Sequence, residues 1–191
     1  MTDTPARPDI APLVEVAHPA IDVALAYATT DNLTGRILYA EARAMLRPEA
    51  ASALYRAADA FAAQGLRVTL LDVYRPAAVQ RAFWALLPNS DYVADPSLGS
   101  DHTRGIAVDL TLTDANGPLD MGTGFDASVV QSHHGRDDVS EAAIRNRLLL
   151  KGVMEAAGFQ ALATEWWHYA LPNRADFPLI DDSVNALKLA V

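Results

Sequence analysis

The chain has 191 residues, no cysteine, 51% hydrophobic and 20% charged residues, and a formal net charge of −9. These values suit a single domain over 1–191 with a sizeable core, and exclude a disordered chain, a disulfide framework and a thiolate metal site. The negative balance argues against nucleic acid, no run approaches the roughly 20 apolar residues that span a bilayer, and the first residues lack a signal-peptide pattern, so a cytoplasmic protein without membrane or nucleic-acid partners is expected.

In chain order, residues 1–20 hold four of the eleven prolines and read as an extended arm packed on the domain. Asp31 to Arg36 reads as a turn or loop, because Asn, Thr and Gly favour local side-chain bonds and unusual φ. Residues 48–64 predict a helix with Pro48 in its first turn and Gly65 as its stop. Leu66 to Tyr74 reads as a buried strand ending before Pro76. Pro76 can open a second helix through Leu87, broken by Pro88-Asn89-Ser90-Asp91. Gly105 to Leu112 predicts a strand with Ala107, Asp109 and Thr111 on one face and Ile106, Val108 and Leu110 on the other. Residues 113–138 are loop-rich. A helix follows over about 140–157, capped by Asp138 or Ser140 and stopped by Gly158. Glu165 to Ala170 is aromatic and β-prone. Helices and strands mix without a regular βαβ repeat, so the fold class expected is α+β.

Two clusters carry chemistry. Ser100-Asp101-His102-Thr103-Arg104-Gly105-Ile106-Ala107-Val108-Asp109 sets His102 at the mouth of a strand and Asp109 inside it. An inward carboxylate on an apolar strand needs a partner, and a metal or an arginine would serve. The second cluster is Glu165-Trp166-Trp167-His168. Two His and one Asp form a common three-ligand set for catalytic zinc, and Glu165 is a candidate base for the water in its open position. On a flat strand Glu165 and His168 face opposite sides, so a shared site needs a bulge, a turn or a strand end between them. The alternative for the second cluster is an aromatic strand with a polar fringe, and the residues alone leave both readings open. Arg75, at the end of a strand, is either a surface ion pair or a stabiliser of an oxyanion. His133 and His134 sit in a loop and suit hydrogen bonding around a site better than ligation. His18 reads as structural.

These motifs resemble the zinc D-Ala-D-Ala peptidase superfamily: Ser100-x-His102-x-x-Gly105-x-Ala107-x-Asp109, then Glu165-x-Trp167-His168. Within it, the chain is most similar to the D-alanyl-D-alanine dipeptidases of the vancomycin-resistance type. Further matches are Tyr27 with Asp31-Asn32-Leu33-Thr34-Gly35, Asp72-Val73-Tyr74-Arg75-Pro76, Asp109-Leu110-Thr111-Leu112, Met121-Gly122-Thr123-Gly124-Phe125-Asp126 and Ser132-His133-His134. They stand in family order from about residue 27 to 170. The resemblance implies one zinc (Zn2+) per chain on His102, Asp109 and His168, with Glu165 as catalytic base and Arg75 stabilising the transition state. It implies substrate contacts from Ser100, Tyr27 and Asp126, the last a candidate for the free ammonium. It also implies an α+β fold of helices around a small, mainly antiparallel sheet, as in the hedgehog-like branch. One departure is a shorter stretch between Arg75 and Ser100, which would help to wall the pocket.

The expected activity is zinc-dependent hydrolysis of D-Ala-D-Ala or a close D,D-dipeptide. The rivals are a D,D-carboxypeptidase acting on cell-wall peptides, which needs export, and a non-catalytic zinc-stabilised domain, which has no need of Glu165 and Arg75. The sequence is compatible with a homo-oligomer and with roles in antibiotic resistance, wall recycling or nutrient use.

Overall fold

The computed structural model describes residues 13–86, 88, 95–180 and 190. Residues 1–12 of the expected arm, Leu87, and Asn89 to Asp91 of the expected helix break lie outside the described residues, as does part of the short stretch before Ser100. The elements run β1 (Val14–Glu15), β2 (Ile21–Val23), β3 (Met45–Leu46), α1 (Pro48–Ala62), β4 (Arg67–Asp72), α2 (Ala77–Leu86), β5 (Ala107–Asp114), β6 (Gly117–Pro118), α3 (Glu141–Ala156), β7 (Gln160–Ala161) and β8 (His168–Ala170). The described part of the arm is packed down: β1 pairs with β3, and His18 stacks on Tyr55 and faces Asp59.

The main sheet runs β2-β4-β5-β8-β7, with β6 on β5. Among the described residues only β2 and β4 pair in parallel; the other pairs are antiparallel, in keeping with the α+β expectation. One sheet face joins the core. Val68, Leu70, Val108, Leu110 and Leu112 pack in one cluster with Leu54 and Phe61 of α1 and Leu150 and Met154 of α3. The buried residues of α1 include Ala50, Ala53, Leu54, Ala57, Ala58 and Phe61, a helical stripe whose small members allow close approach.

The register of β4 decides what the other face carries. Arg67 to Leu70 pair in step with Thr113 to Leu110, but the next residue opposite Asp109 is Asp72. Leu71 is therefore an extra residue, a β-bulge. Because side chains alternate, the bulge turns Asp72 away from the face of Val68 and Leu70 and onto that of Asp109. Across β5, His168 of β8 also pairs with Asp109. Three polar residues from three adjacent strands thus meet on one face.

Strand ends differ from expectation for physical reasons. Leu66 precedes β4, and Val73 and Tyr74 leave it, their backbones serving His102 and Met45. Glu165 to Trp167 form a turn, and only His168 to Ala170 are strand. The helices end as expected, before Gly65 and Gly158, both at positive φ. Ser140, rather than Asp138, caps α3: its Oγ accepts from the Ala143 N–H at 3.0 Å, while Asp138 pairs with Arg136.

The Ser140 cap supports a testable outcome. Ser140→Ala removes the acceptor for an orphan N–H and should lower stability by about 1 kcal/mol, read from urea denaturation. An unchanged midpoint would mean that solvent replaces the cap.

Candidate active site

His102 lies in a tight turn, not on a strand. Gly105 closes it at φ 70°, where its N–H donates to the His102 carbonyl at 2.9 Å. An L side chain is strained at that φ, and a Cβ would also press on the Leu13 side chain at 2.9 Å, so glycine suits the turn. The Ser100 Oγ accepts from the His102 N–H at 3.2 Å. The His102 Nδ1 donates to the Val73 carbonyl at 2.6 Å, which turns its Nε2 lone pair toward Asp109.

The three donor groups converge. His102 Nε2 lies 3.2 Å from Asp109 Oδ2, His168 Nδ1 lies 2.9 Å from Asp109 Oδ1, and the two imidazole nitrogens are 3.2 Å apart. Among the described residues this is the group of ligand-type side chains that could hold a metal ion, with all its donor atoms within 4.8 Å of one another. The spacings are close to the edge of a tetrahedron built on metal–ligand bonds of about 2.0–2.1 Å. Burial alone would raise the Asp109 carboxyl; the two histidines outweigh it and hold it well below the usual carboxylate range. Burial opposes charge on His168, yet its bond to Asp109 raises its affinity for a proton. A cluster that favours positive charge while buried fits a cation, and nitrogen and oxygen donors fit zinc.

The Glu165 turn meets the condition for a shared site. The His168 N–H donates to the Glu165 carbonyl at 3.3 Å, folding the segment so that Glu165 Oε2 lies 4.0 Å from His168 Nδ1. Burial pushes the Glu165 carboxyl up to about 7, against the pull of His168. The turn is braced from outside: Trp166 N–H donates to the Ser132 carbonyl at 3.0 Å, and its indole N–H to Thr123 Oγ1 at 2.9 Å. His134 N–H reaches the Ala163 carbonyl at 2.9 Å, and Arg147 donates to the His133 carbonyl at 3.2 Å. His133 and His134 therefore support the turn through their backbones. Neither lines the cleft, and burial keeps His134 neutral, pushed down to about 4.

Arg75 is not a surface residue. Its side chain is about 10% exposed and lies over the Phe83 and Tyr27 rings, 4.6 and 5.4 Å from their centroids. Nε and Nη2 both bond Asp72 Oδ2 at 2.8 Å, Nη1 bonds Gln80 Oε1 at 3.0 Å, and Nη2 is 3.7 Å from Asp109 Oδ2. Burial works against its charge, but Asp72 above all holds it cationic. Tyr27 donates to both oxygens of Asp126, at 3.1 and 2.8 Å. Asp126 adopts φ 60°, a left-handed conformation rare outside glycine. Burial pushes its carboxyl up to about 6.

All eight residues singled out from the sequence, Tyr27, Arg75, Ser100, His102, Asp109, Asp126, Glu165 and His168, line one cleft of about 240 Å³. Pockets for drug-sized ligands span roughly 300–1,000 Å³, so this one suits a smaller molecule. The sequence that brings these motifs together is similar to known proteins. A family profile described as D-Ala-D-Ala dipeptidase matches residues 9–188. The chain belongs to the D-Ala-D-Ala dipeptidase family. It is 42% identical to the D-alanyl-D-alanine dipeptidase of Escherichia coli K12 over 183 residues, 95% of this chain and 93% of that protein. It is 35% identical to that of Enterococcus faecium, over 80% of this chain and 90% of the relative, and 34% identical to that of Streptomyces coelicolor, over the same shares.

Several residues of this family site were not singled out from the sequence. Asp72 is the chief one: fully buried, it holds Arg75, accepts from Tyr39 at 3.0 Å and lies 3.7 Å from His102 Nδ1. Gln80 holds Arg75, and Asp101 and Arg174 line the cleft. The signal for Asp72 was present in Leu70-Leu71, two adjacent leucines that break the alternation of β4.

Asp72→Ala would leave the Arg75 charge buried without its main partner. Breaking a buried pair in this way costs about 3–5 kcal/mol. Chemical denaturation should show a loss of that size, and a smaller one for Asp72→Asn, which keeps an acceptor. Equal losses from the two would assign the effect to packing.

Proposed function

We propose that this chain is a zinc-dependent dipeptidase that hydrolyses D-alanyl-D-alanine, or a close D,D-dipeptide, to free D-amino acids. The observation that carries the reading is the meeting, in one small cleft, of a His–Asp–His donor set, the buried Glu165 carboxyl and the buried Arg75 guanidinium. The relatives from Escherichia coli and Enterococcus faecium are named D-alanyl-D-alanine dipeptidases.

In this reading His102, Asp109 and His168 would hold one zinc per chain, and its Lewis acidity would make water a competent nucleophile near neutral pH. Glu165 takes the proton of the attacking water and returns it to the nitrogen as the peptide C–N bond breaks. A carboxyl raised by burial suits both halves of that task. Arg75, fixed by Asp72 and Gln80, keeps a positive field beside the carbonyl oxygen as it gains charge. Ser100 and Tyr27 contact substrate, and Asp126, oriented by Tyr27, pairs with the free ammonium. A carboxylate there disfavours an acylated amine, which supports a dipeptidase over a carboxypeptidase for cell-wall peptides. Glu165 and Arg75 have no purpose in a non-catalytic zinc domain. The reading includes a single domain over 1–191, a cytoplasmic location and a soluble substrate. Among the described residues no helix is long and apolar enough to cross a membrane.

Metal and base can be separated by experiment. Atomic absorption should find one zinc per chain in the purified protein and in Glu165→Gln, and none retained by His168→Ala. Glu165→Gln should lose about 10²–10⁴-fold in kcat on D-Ala-D-Ala. Loss of zinc in the glutamine variant would recast Glu165 as a ligand.

Asp126 is tested by comparing two substrates. Removing the partner of a desolvated charge costs roughly 2–5 kcal/mol, so Asp126→Ala should lower kcat/KM for D-Ala-D-Ala by well over tenfold. The loss should be much smaller for N-acetyl-D-Ala-D-Ala, which has no ammonium to pair. Equal losses on both would show that Asp126 serves the structure of the cleft.

A further inference from the structure

A dipeptide is a zwitterion, and the reading above leaves its carboxylate without a charged partner. The cleft wall opposes that group: Asp101, Asp109, Asp126 and Glu165 all line it, in a chain of net charge −9. Two guanidiniums line it as well, Arg75 and Arg174. Arg75 has every nitrogen engaged by Asp72 or Gln80. Arg174 does not.

Arg174 follows Asn173, whose backbone is left-handed at φ 59°, and opens a short turn over Arg174–Asp176. Its Nη2 donates to the Gly99 carbonyl at 2.9 Å, and its Nε lies 3.2 Å from Asp101 Oδ1. Nη1 has no partner among the described residues. The guanidinium is therefore tethered on one edge to the loop that carries Ser100 and His102, and offers its other edge. About half of the side chain is exposed, so it is reachable.

Its position matters as much as its charge. A second cavity, of about 210 Å³, adjoins the cleft and shares Asp101, Leu162, His168 and Arg174 with it. Arg174 thus stands where the reaction cleft would continue into further space.

We propose that Arg174 binds the free carboxylate of the substrate's second residue and ends the cleft at that point. The inference rests on the dipeptidase reading and deepens it, giving the carboxyl end of the substrate a reader as Asp126 gives one to the amine. A planar fork suits a carboxylate, and the tether to Gly99 and Asp101 lowers the entropy lost on binding. The Ser100 hydroxyl, beside the tethered Gly99, adds a neutral donor on the same wall.

The test measures kcat/KM on D-Ala-D-Ala and on its C-terminal carboxamide, for the zinc-loaded wild type, Arg174→Gln and Arg174→Lys. The expected result is a preference of the wild type for the free acid that falls about tenfold in Arg174→Gln, mainly through KM. Arg174→Lys should recover part of it, since the charge remains and the fork is lost. Equal losses on acid and amide would overturn the inference, because the residue would then only hold the Gly99 loop in place. An unchanged preference in Arg174→Gln would overturn it too. A wild type that hydrolyses neither substrate would overturn the dipeptidase reading itself, and the inference with it.

Discussion

Two carboxylates face each other across β4 and β5 in a part of the sheet that excludes water. Asp72 is fully buried and Asp109 nearly so, and each must be neutralised where it stands. The solutions differ. Asp72 takes Arg75 and the Tyr39 hydroxyl, and burial still drives its carboxyl upward against the pull of Arg75. Asp109 takes the two imidazoles, which hold it ionised. Arg75 stands between them, on Asp72 and near Asp109. The cationic side of the cleft is thus a response to the anionic side, and the Leu71 bulge creates the need for both.

The remaining motifs act as a frame for the Glu165 turn. Arg147 on α3 is buried and donates to the carbonyls of Met121 and Gln131 as well as His133. Thr123 bridges Ser132 Oγ and the Trp166 indole. Segments 121–126, 132–134 and 165–168, far apart in sequence, therefore form one hydrogen-bonded unit. Such a unit fixes the turn before substrate arrives, which is what the role proposed for the Glu165 carboxyl requires. A loop free to move would leave Glu165 to find its geometry anew in each turnover.

Much of this was legible in the sequence because it depends on local rules. Pro48, Gly65 and Gly158 mark helix ends whatever surrounds them, and the face shared by Ala107, Asp109 and Thr111 follows from strand alternation. The residues that line the cleft together were singled out for another reason: the ordered motifs resemble a family, and the chain belongs to it. What escaped depends on tertiary register. Asp72 lies in a quoted motif, but its face could be assigned only after the bulge set it opposite Asp109. From its residues alone Arg75 read more readily as a surface ion pair, because nothing local foretells burial under Phe83 and Tyr27. Arg174 lies beyond the motifs, and only folding returns it to the loop at Gly99.

The left-handed backbone at Asp126 carries a consequence for how this cleft can change over generations. At φ 60° a side chain branched at Cβ is strained, whereas Asp, Asn and Gly are tolerated. The residue that faces Tyr27 can therefore drift only within a small alphabet: an anion, a neutral amide of the same shape, or no side chain. Each choice offers a different partner to whatever enters the cleft. The backbone thus narrows the routes to new specificity at this position before any selection on activity begins.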